Sequence, residues 1–370
     1  MAQLAVRSLL LSLLLVSLVV AASAGIAKLN SSSPLFGIEF PPFNTAVACA
    51  LCLDCFEQRG PVFDPAASSS YRNVTCGDQR CGLVAPPPEA SSPRACRRPG
   101  EDPCPYYYWY GDQSNTTGDL ALESFMVNLT ALGASRRVDG VVFGCGHPNR
   151  GLLHGAAGLL GLGRGSLSFA SQLCAVYGHT FSYCLVNHGS DVGSKVVFGE
   201  DALVLAAHPQ LKYSAFAAAS SPADTFYYVK LKGVLVGGEL LNISSDTWDA
   251  GKDGSGGTII DSGTTLSYFA EPAYQVADFP LLNPCYNVSG VERPEVPELS
   301  LLFADGAVWD FPAENYFIRL DPDGIMCLAV LGNPRTGMSI IGNFQQQNFH
   351  VVYDLQNNRL GFTPRRCAEV

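Results

Sequence analysis

Apolar and polar positions alternate in short bursts along this chain. "VDGVVFGCG", "SKVVFGE", "FYYVKLKGVLVGG", "GTIID" and "FHVVYDLQNNRLGF" are runs of β-branched and aromatic residues punctuated by Gly, Asn or Asp. Runs this short between frequent turn residues predict strands, and an all-β fold with few helices. One segment departs from that pattern: in "SLSFASQLCAVYG", Leu167, Phe169, Leu173 and Val176 share a face at helical spacing, and Gly178 can close the helix. Proline density from Ala85 to Pro105 excludes both sheet and helix and predicts an exposed insertion pinned by disulfides. The alanine-rich stretch from Glu200 to Thr225 reads as a connection between two halves, 25–200 and 201–370.

Composition narrows the choice. The chain has 370 residues, 47% hydrophobic and 15% charged, enough for two cores. Its 33 acidic and 23 basic side chains give a net charge of -10, which leaves no basic footprint for nucleic acid or an anionic membrane. Arg7, the apolar run Leu9 to Val20 and the triplet Ala22-Ser23-Ala24 predict an export signal over residues 1–24, too short in its apolar part to span a bilayer. After cleavage no membrane attachment is expected. Export makes the thirteen cysteines a disulfide framework and makes Asn30, Asn73, Asn115, Asn128, Asn242 and Asn287 acceptors for N-linked glycans.

Most catalytic signatures are missing. Cys49-x-x-Cys52-x-x-Cys55 lacks the further cysteine and proline of a ferredoxin run, because Arg59-Gly60 stand there, and an oxidising compartment favours disulfides over zinc. "GLGRGSLS" has neither the ending of a phosphate-binding loop nor the dinucleotide spacing, and the chain contains no Gly-x-Ser-x-Gly or His-Glu-x-x-His. No metal and no cofactor is expected. The six histidines are scattered, with His147 and His188 read as turn or surface residues, and Tyr106 to Tyr110 read as alternating faces of one strand.

Two pairs of motifs remain. Leu159-Leu160-Gly161 and Ile340-Ile341-Gly342 repeat two apolar residues followed by glycine, and "IIDSGT" lies 81 residues before Gly342. With these motifs, with Cys49 to Cys55, "FDPAASSSYRNVTC", "YWYGDQSNTTGDLALESF", "VVFGCGH" and "FSYCL" in this order, the chain resembles the pepsin family of aspartic proteases, and within it the nepenthesin-type secreted plant members. The resemblance covers Cys49 to Val370. It implies a bilobal all-β fold, two β-barrel-like lobes with a central cleft, a flap near 106–118, and a protein or peptide as substrate or ligand of a monomer. It also implies that Asp261 is the second-lobe catalytic carboxylate supported by Ser262, Gly263 and Thr264, that Tyr110, Gly111 and Asp112 belong to the flap, and that Cys145 pairs with Cys184 and Cys285 with Cys327. Cys174 is left as a free, buried thiol.

Such chemistry needs two aspartates that share a proton, one activating water while the other polarises the scissile carbonyl. The family's first Asp-Thr-Gly-Ser falls on Glu39-Phe40-Pro41-Pro42, so the first lobe is expected to be incomplete. Asp-Ser-Gly occurs at 261 and Asp-Thr-Gly nowhere. A basic prosegment before Cys49 and a helix between Tyr274 and Cys285 are also missing relative to the resemblance. Two expectations follow: an aspartic endopeptidase inactive as written, or a pepsin-fold binding protein or inhibitor of secreted enzymes, in either case secreted to the extracellular space, wall or vacuole.

Overall fold

The structure, a computed structural model, describes residues 20–23, 26–29, 46–49, 54–55, 63–85, 96–110, 114–128, 135–151, 158–188, 190–199, 207–218, 225–251, 255–271, 273, 282, 284–320, 324–333 and 337–370, with backbone alone at 20–23, 26–29, 46–48, 54–55, 127–128 and 135. Contacts divide these residues into two units, one within 14–176 together with 191–193, the other 177–190 with 194–370.

The N-terminal unit contains β1 (Val20–Ser23), β2 (Ile26–Leu29), β3 (Ala46–Ala48), β4 (Asp54–Cys55), β5 (Arg72–Asn73), β6 (Pro105–Trp109), β7 (Asn115–Asn128), β8 (Ser135–Arg150) and β9 (Gly158–Leu159). They form one sheet in the order β1-β2-β7-β8-β3-β9, with β4 on β8 and β5 and β6 on β7. Most of the expected export signal lies outside the described residues; its last strand-forming residues, Val20–Ser23, pair with Ile26–Leu29. The predicted alternation in β6 is present: Tyr106 is fully buried and its hydroxyl shares a 2.9 Å hydrogen bond with Thr116, while Trp109 is 58% exposed. The core of this unit is aromatic, with Phe63, Tyr71, Phe125, Phe143 and Phe169 in edge contact. Helix α1 (Phe169–Tyr177) buries Phe169, Ala170 and Leu173 and stops where Gly178 adopts φ 81°, a conformation that costs glycine nothing.

The C-terminal unit contains β10 (Thr180–Cys184), β11 (Lys195–Phe198), β12 (Lys212–Ala215), β13 (Tyr227–Val229), β14 (Leu231–Val236), β15 (Glu239–Leu240), β16 (Thr258–Ile260), β17 (Ser267–Ala270), β18 (Cys285–Asn287), β19 (Leu299–Phe303), β20 (Val308–Phe311), β21 (Phe317–Leu320), β22 (Ile325–Leu328), β23 (Val330–Asn333), β24 (Ser339–Ile341), the single-turn helix α2 (Asn343–Gln346), β25 (Phe349–Asp354) and β26 (Arg359–Pro364). The stretch read as a plain connection therefore contains β12, which pairs with β26. Every residue of β25 is buried, because β10 and β26 cover both of its edges. Phe181, Phe216, Tyr227 and Tyr353 stack around it, Phe181 on Tyr353 at 4.5 Å.

The disulfides correct one expected pairing. Cys145 is bonded to Cys49, not to Cys184, and Cys184 is bonded to Cys367. The register explains both. Parallel pairing sets Val47 opposite Cys145 and carries Cys49 up beside it, while Cys184 ends β10 and Cys367 follows β26 at the same end of the sheet. Cys285–Cys327 forms as expected across paired strands. Cys76–Cys96 and Cys81–Cys104 pin the proline-rich insertion at both ends. Cys174 is free, but half-buried rather than buried. The side chains of Cys52 and Cys55 lie outside the described residues.

One arrangement occurs in both units. β17 runs antiparallel to β24 and parallel to β23; β3 runs antiparallel to β9 and parallel to β8. Tyr268 faces Ile340, two residues before Gly342, and Ala46 faces Leu159, two residues before Gly161. Tyr268 and Ala46 are thus equivalent; Glu39, as far before Ala46 in the sequence as Asp261 is before Tyr268, lies outside the described residues. In the C-terminal unit β24 also pairs, in parallel, with β16; among the described residues β9 pairs with β3 alone.

Candidate active-site half

Thr258, Ile259 and Ile260 are buried on both faces between β13 and β24, so the chain can leave this strand only at its end, where Asp261 stands half-exposed. The Asp261 N–H donates to the Ile341 carbonyl at 3.1 Å and makes the last rung of the parallel pair. Its carboxylate is then framed by its own turn: Oδ1 accepts from the Gly263 N–H at 2.9 Å and Oδ2 from the Thr264 hydroxyl at 2.6 Å. Two donors on one carboxylate fix its plane.

The turn rests on α2. The Asn343 N–H donates to the Thr264 carbonyl at 2.7 Å, its Nδ2 to the Ser262 carbonyl at 3.0 Å, and the Phe344 N–H to the Thr265 carbonyl at 2.9 Å. This contact leaves no room for a side chain at Gly342, where a Cβ would fall 2.4 Å from the Leu266 carbonyl oxygen. Behind it the Ser267 hydroxyl accepts from the Gly342 N–H at 3.0 Å and donates to Gln345 at 2.6 Å. Under the turn, Tyr183 donates to Gln346 and lies 3.0 Å from the Tyr353 hydroxyl, while Gln346 Nε2 donates to Ile341 at 2.8 Å. Burial pushes both phenols well above the ordinary tyrosine range, and the nearby Asp261 carboxylate adds to this, so both remain protonated donors.

Asp261, Ser262, Gly263 and Thr264 are thus brought together. Tyr110 belongs to the N-terminal unit, where it is buried against Leu159 and meets Tyr108 edge-on at 4.7 Å, and its N–H closes the hairpin on the Ser114 carbonyl at 2.8 Å. Gly111, Asp112 and Glu39 lie outside the described residues. One histidine differs from its reading: His147 is a strand residue of β8 whose Nε2 lies 3.2 Å from Asp119, whereas His188 is an exposed turn residue, as read. Sequence reasoning missed Tyr183, Gln346 and Asn343. The available signal was a run of amides, Asn343 and Gln345 to Gln347, just after Ile340-Ile341-Gly342.

A mostly β chain in which an Asp-Ser-Gly turn is clasped by an apolar-apolar-Gly strand defines a pepsin-like fold. The chain belongs to the plant pepsin-like aspartic protease family: residues 44–200 match the family model described as Xylanase inhibitor N-terminal, and residues 226–364 the one described as Xylanase inhibitor C-terminal. It is 38% identical over 338 residues to Protein ASPARTIC PROTEASE IN GUARD CELL 2 of Arabidopsis thaliana, covering 87% of this chain and 67% of that one. It is 39% identical over 340 residues to Aspartyl protease family protein 2 of the same plant, covering 86% and 65%, so it spans about two thirds of the length of these relatives. With aspartic proteinase nepenthesin-2 of Nepenthes gracilis it shares 36% over 337 residues, covering 86% and 72%. Among solved structures, that of edgp superposes with a TM-score of 0.67 at 20% identity, covering 90% and 87%, and Basic 7S globulin from soybean with 0.65 at 19%, covering 88% and 87%. These two likenesses concern the fold alone.

Proposed function

We propose that this polypeptide is an aspartic endopeptidase family member that holds one half of the catalytic dyad, Asp261, and does not hydrolyse peptides as written. The frame on Asp261 carries this reading. It consists of the Gly263 N–H and the Thr264 hydroxyl, and the residues at the same spacing after Glu39 in the sequence are Pro41 and Pro42. Proline has no N–H and no hydroxyl, so neither bond can be repeated. A single carboxylate can accept a proton from water, but the reaction also needs a protonated carboxyl to polarise the carbonyl, and the loss of a positioned acid or base costs about 10²- to 10⁴-fold in rate. In a complete enzyme of this kind Tyr110 would close over an extended peptide. The five described disulfides support passage through an oxidising compartment, and secretion as a monomer belongs to the same reading. Among the described residues no helix is long and apolar enough to cross a membrane.

A second reading, a binding protein or inhibitor of secreted enzymes, is favoured by the description of the matched family models. The two are separated by rebuilding the missing turn. The full chain and a variant carrying Glu39→Asp, Phe40→Thr, Pro41→Gly and Pro42→Ser are expressed through a secretory host and assayed at acid pH on a denatured protein, with and without pepstatin. The chain as written is expected to leave the substrate intact. Pepstatin-sensitive cleavage by the rebuilt variant, abolished by adding Asp261→Ala, supports the dyad assignment. Cleavage by the unaltered chain that Asp261→Ala abolishes would overturn its inactivity. Failure of the rebuilt variant, if folded, would shift the weight to binding.

A further inference from the structure

We infer that Asn115 carries an N-linked glycan that covers the indole of Trp109. The hairpin β6–β7 pairs Tyr107 with Thr117 and Trp109 with Asn115. Directly opposed residues of an antiparallel pair project from the same face, with Cβ atoms about 5 Å apart. Tyr106 and Thr116 turn inward and share a hydrogen bond, so the outer face carries Tyr107, Trp109, Asn115 and Thr117 together. Asn115-Thr116-Thr117 is a sequon, and it is the asparagine and the residue two positions on, Asn115 and Thr117, that share this outer face. On the other edge of β7, Asn115 faces the exposed Arg150.

The observation that points to an occupant is Trp109 itself. Trp109 is 58% exposed and, among the described residues, Tyr107 alone is in edge contact with it, although the other two tryptophans of the chain, Trp248 and Trp309, are at 1% and 0%. An indole left in water on a sheet face is a docking or aggregation hazard. A sugar tethered to the opposing asparagine lies within reach of it, and a pyranose presents a face of C–H groups that an aromatic ring accepts. Two other described sequons differ: Asn73 accepts from the Tyr71 hydroxyl at 2.8 Å, and Asn287 from the Ser289 N–H at 3.0 Å within its own turn. This assignment is independent of whether Asp261 is catalytic.

The test uses the full chain secreted from plant cells. Glycopeptide mass spectrometry reads occupancy at Asn115, and acrylamide quenching of tryptophan emission reads Trp109, because Trp248 and Trp309 are out of reach of the quencher. Occupied Asn115, with enzymatic deglycosylation of the folded protein raising the quenchable share of emission and shifting it to the red, is the expected result. Thr117→Ala should reproduce the deglycosylated values and Thr117→Ser the wild-type ones. An unmodified Asn115, or an occupied one whose glycan can be removed without change in quenching, would overturn the assignment; the enzymatic arm needs no variant to fold.

Discussion

The Thr264 hydroxyl donates to Oδ2 of Asp261 at 2.6 Å. The bond belongs to a turn whose hydrogen bonds can be measured as stability, separately from any turnover of substrate.

Thr264→Val should therefore cost about 1.5–3 kcal/mol, the range for a lost hydrogen bond to a charged group, with Thr264→Ser close to wild type. Guanidinium unfolding followed by tyrosine and tryptophan emission checks it. A loss in Thr264→Ser with none in Thr264→Val would assign the effect to the methyl group and not to the bond.

Gly342→Ala places a methyl 2.4 Å from the Leu266 carbonyl oxygen, backbone that cannot swing aside. A loss of about 1–3 kcal/mol is expected from overpacking of this kind. Gly306→Ala is a poor control because Gly306 has φ 89°; Gly82→Ala, with open space around it and no positive φ, should change stability little.

Asp354 is buried and would be raised by that burial alone, but hydrogen bonds from Asn357 and Arg359 outweigh it and hold the carboxyl below its usual range. A lowered pKa contributes stability above the unfolded value near 4, and that contribution is lost as pH falls through the folded value. Arg359→Ala should cost roughly 2 kcal/mol at pH 7, with the gap from wild type closing below about pH 4. Arg359 also lies 3.9 Å over the Tyr213 ring, so Arg359→Lys should recover only part of the loss.

Cys184–Cys367 closes a loop with a sequence separation of 183. Replacing Cys367 by Ser should cost about 2–5 kcal/mol. Non-reducing peptide mapping should recover Cys49 linked to Cys145 and Cys184 linked to Cys367, and a Cys145–Cys184 peptide would contradict the fold.

Local features were readable from sequence because their causes are local. The α1 face with Gly178 after it, the alternation of Tyr106 to Trp109, and the Asp261 turn each follow from neighbours a few residues apart. What escaped depends on distant partners. Parallel pairing of β3 with β8, which sends Cys49 to Cys145, leaves no mark on the residues near either cysteine. The amides Asn343, Gln345 and Gln346 look like surface residues, yet all are buried because each carries a hydrogen bond that holds the aspartate turn or its supporting strands. His350, buried against Ser182 at 2.8 Å, escaped for the same reason.

The strand that fixes Asp261 arrives late. Ile341, whose carbonyl receives the Asp261 N–H, is made 80 residues after it, and at about 5–20 residues per second the ribosome needs roughly 4–16 s to supply it. Until then the strand before Asp261 has β13 for one edge and nothing for the other, so the order of synthesis itself delays assembly of the carboxylate frame until nearly the whole polypeptide exists. A chain interrupted anywhere before residue 341 would carry the motif in its sequence and lack the clasp that gives the motif its geometry.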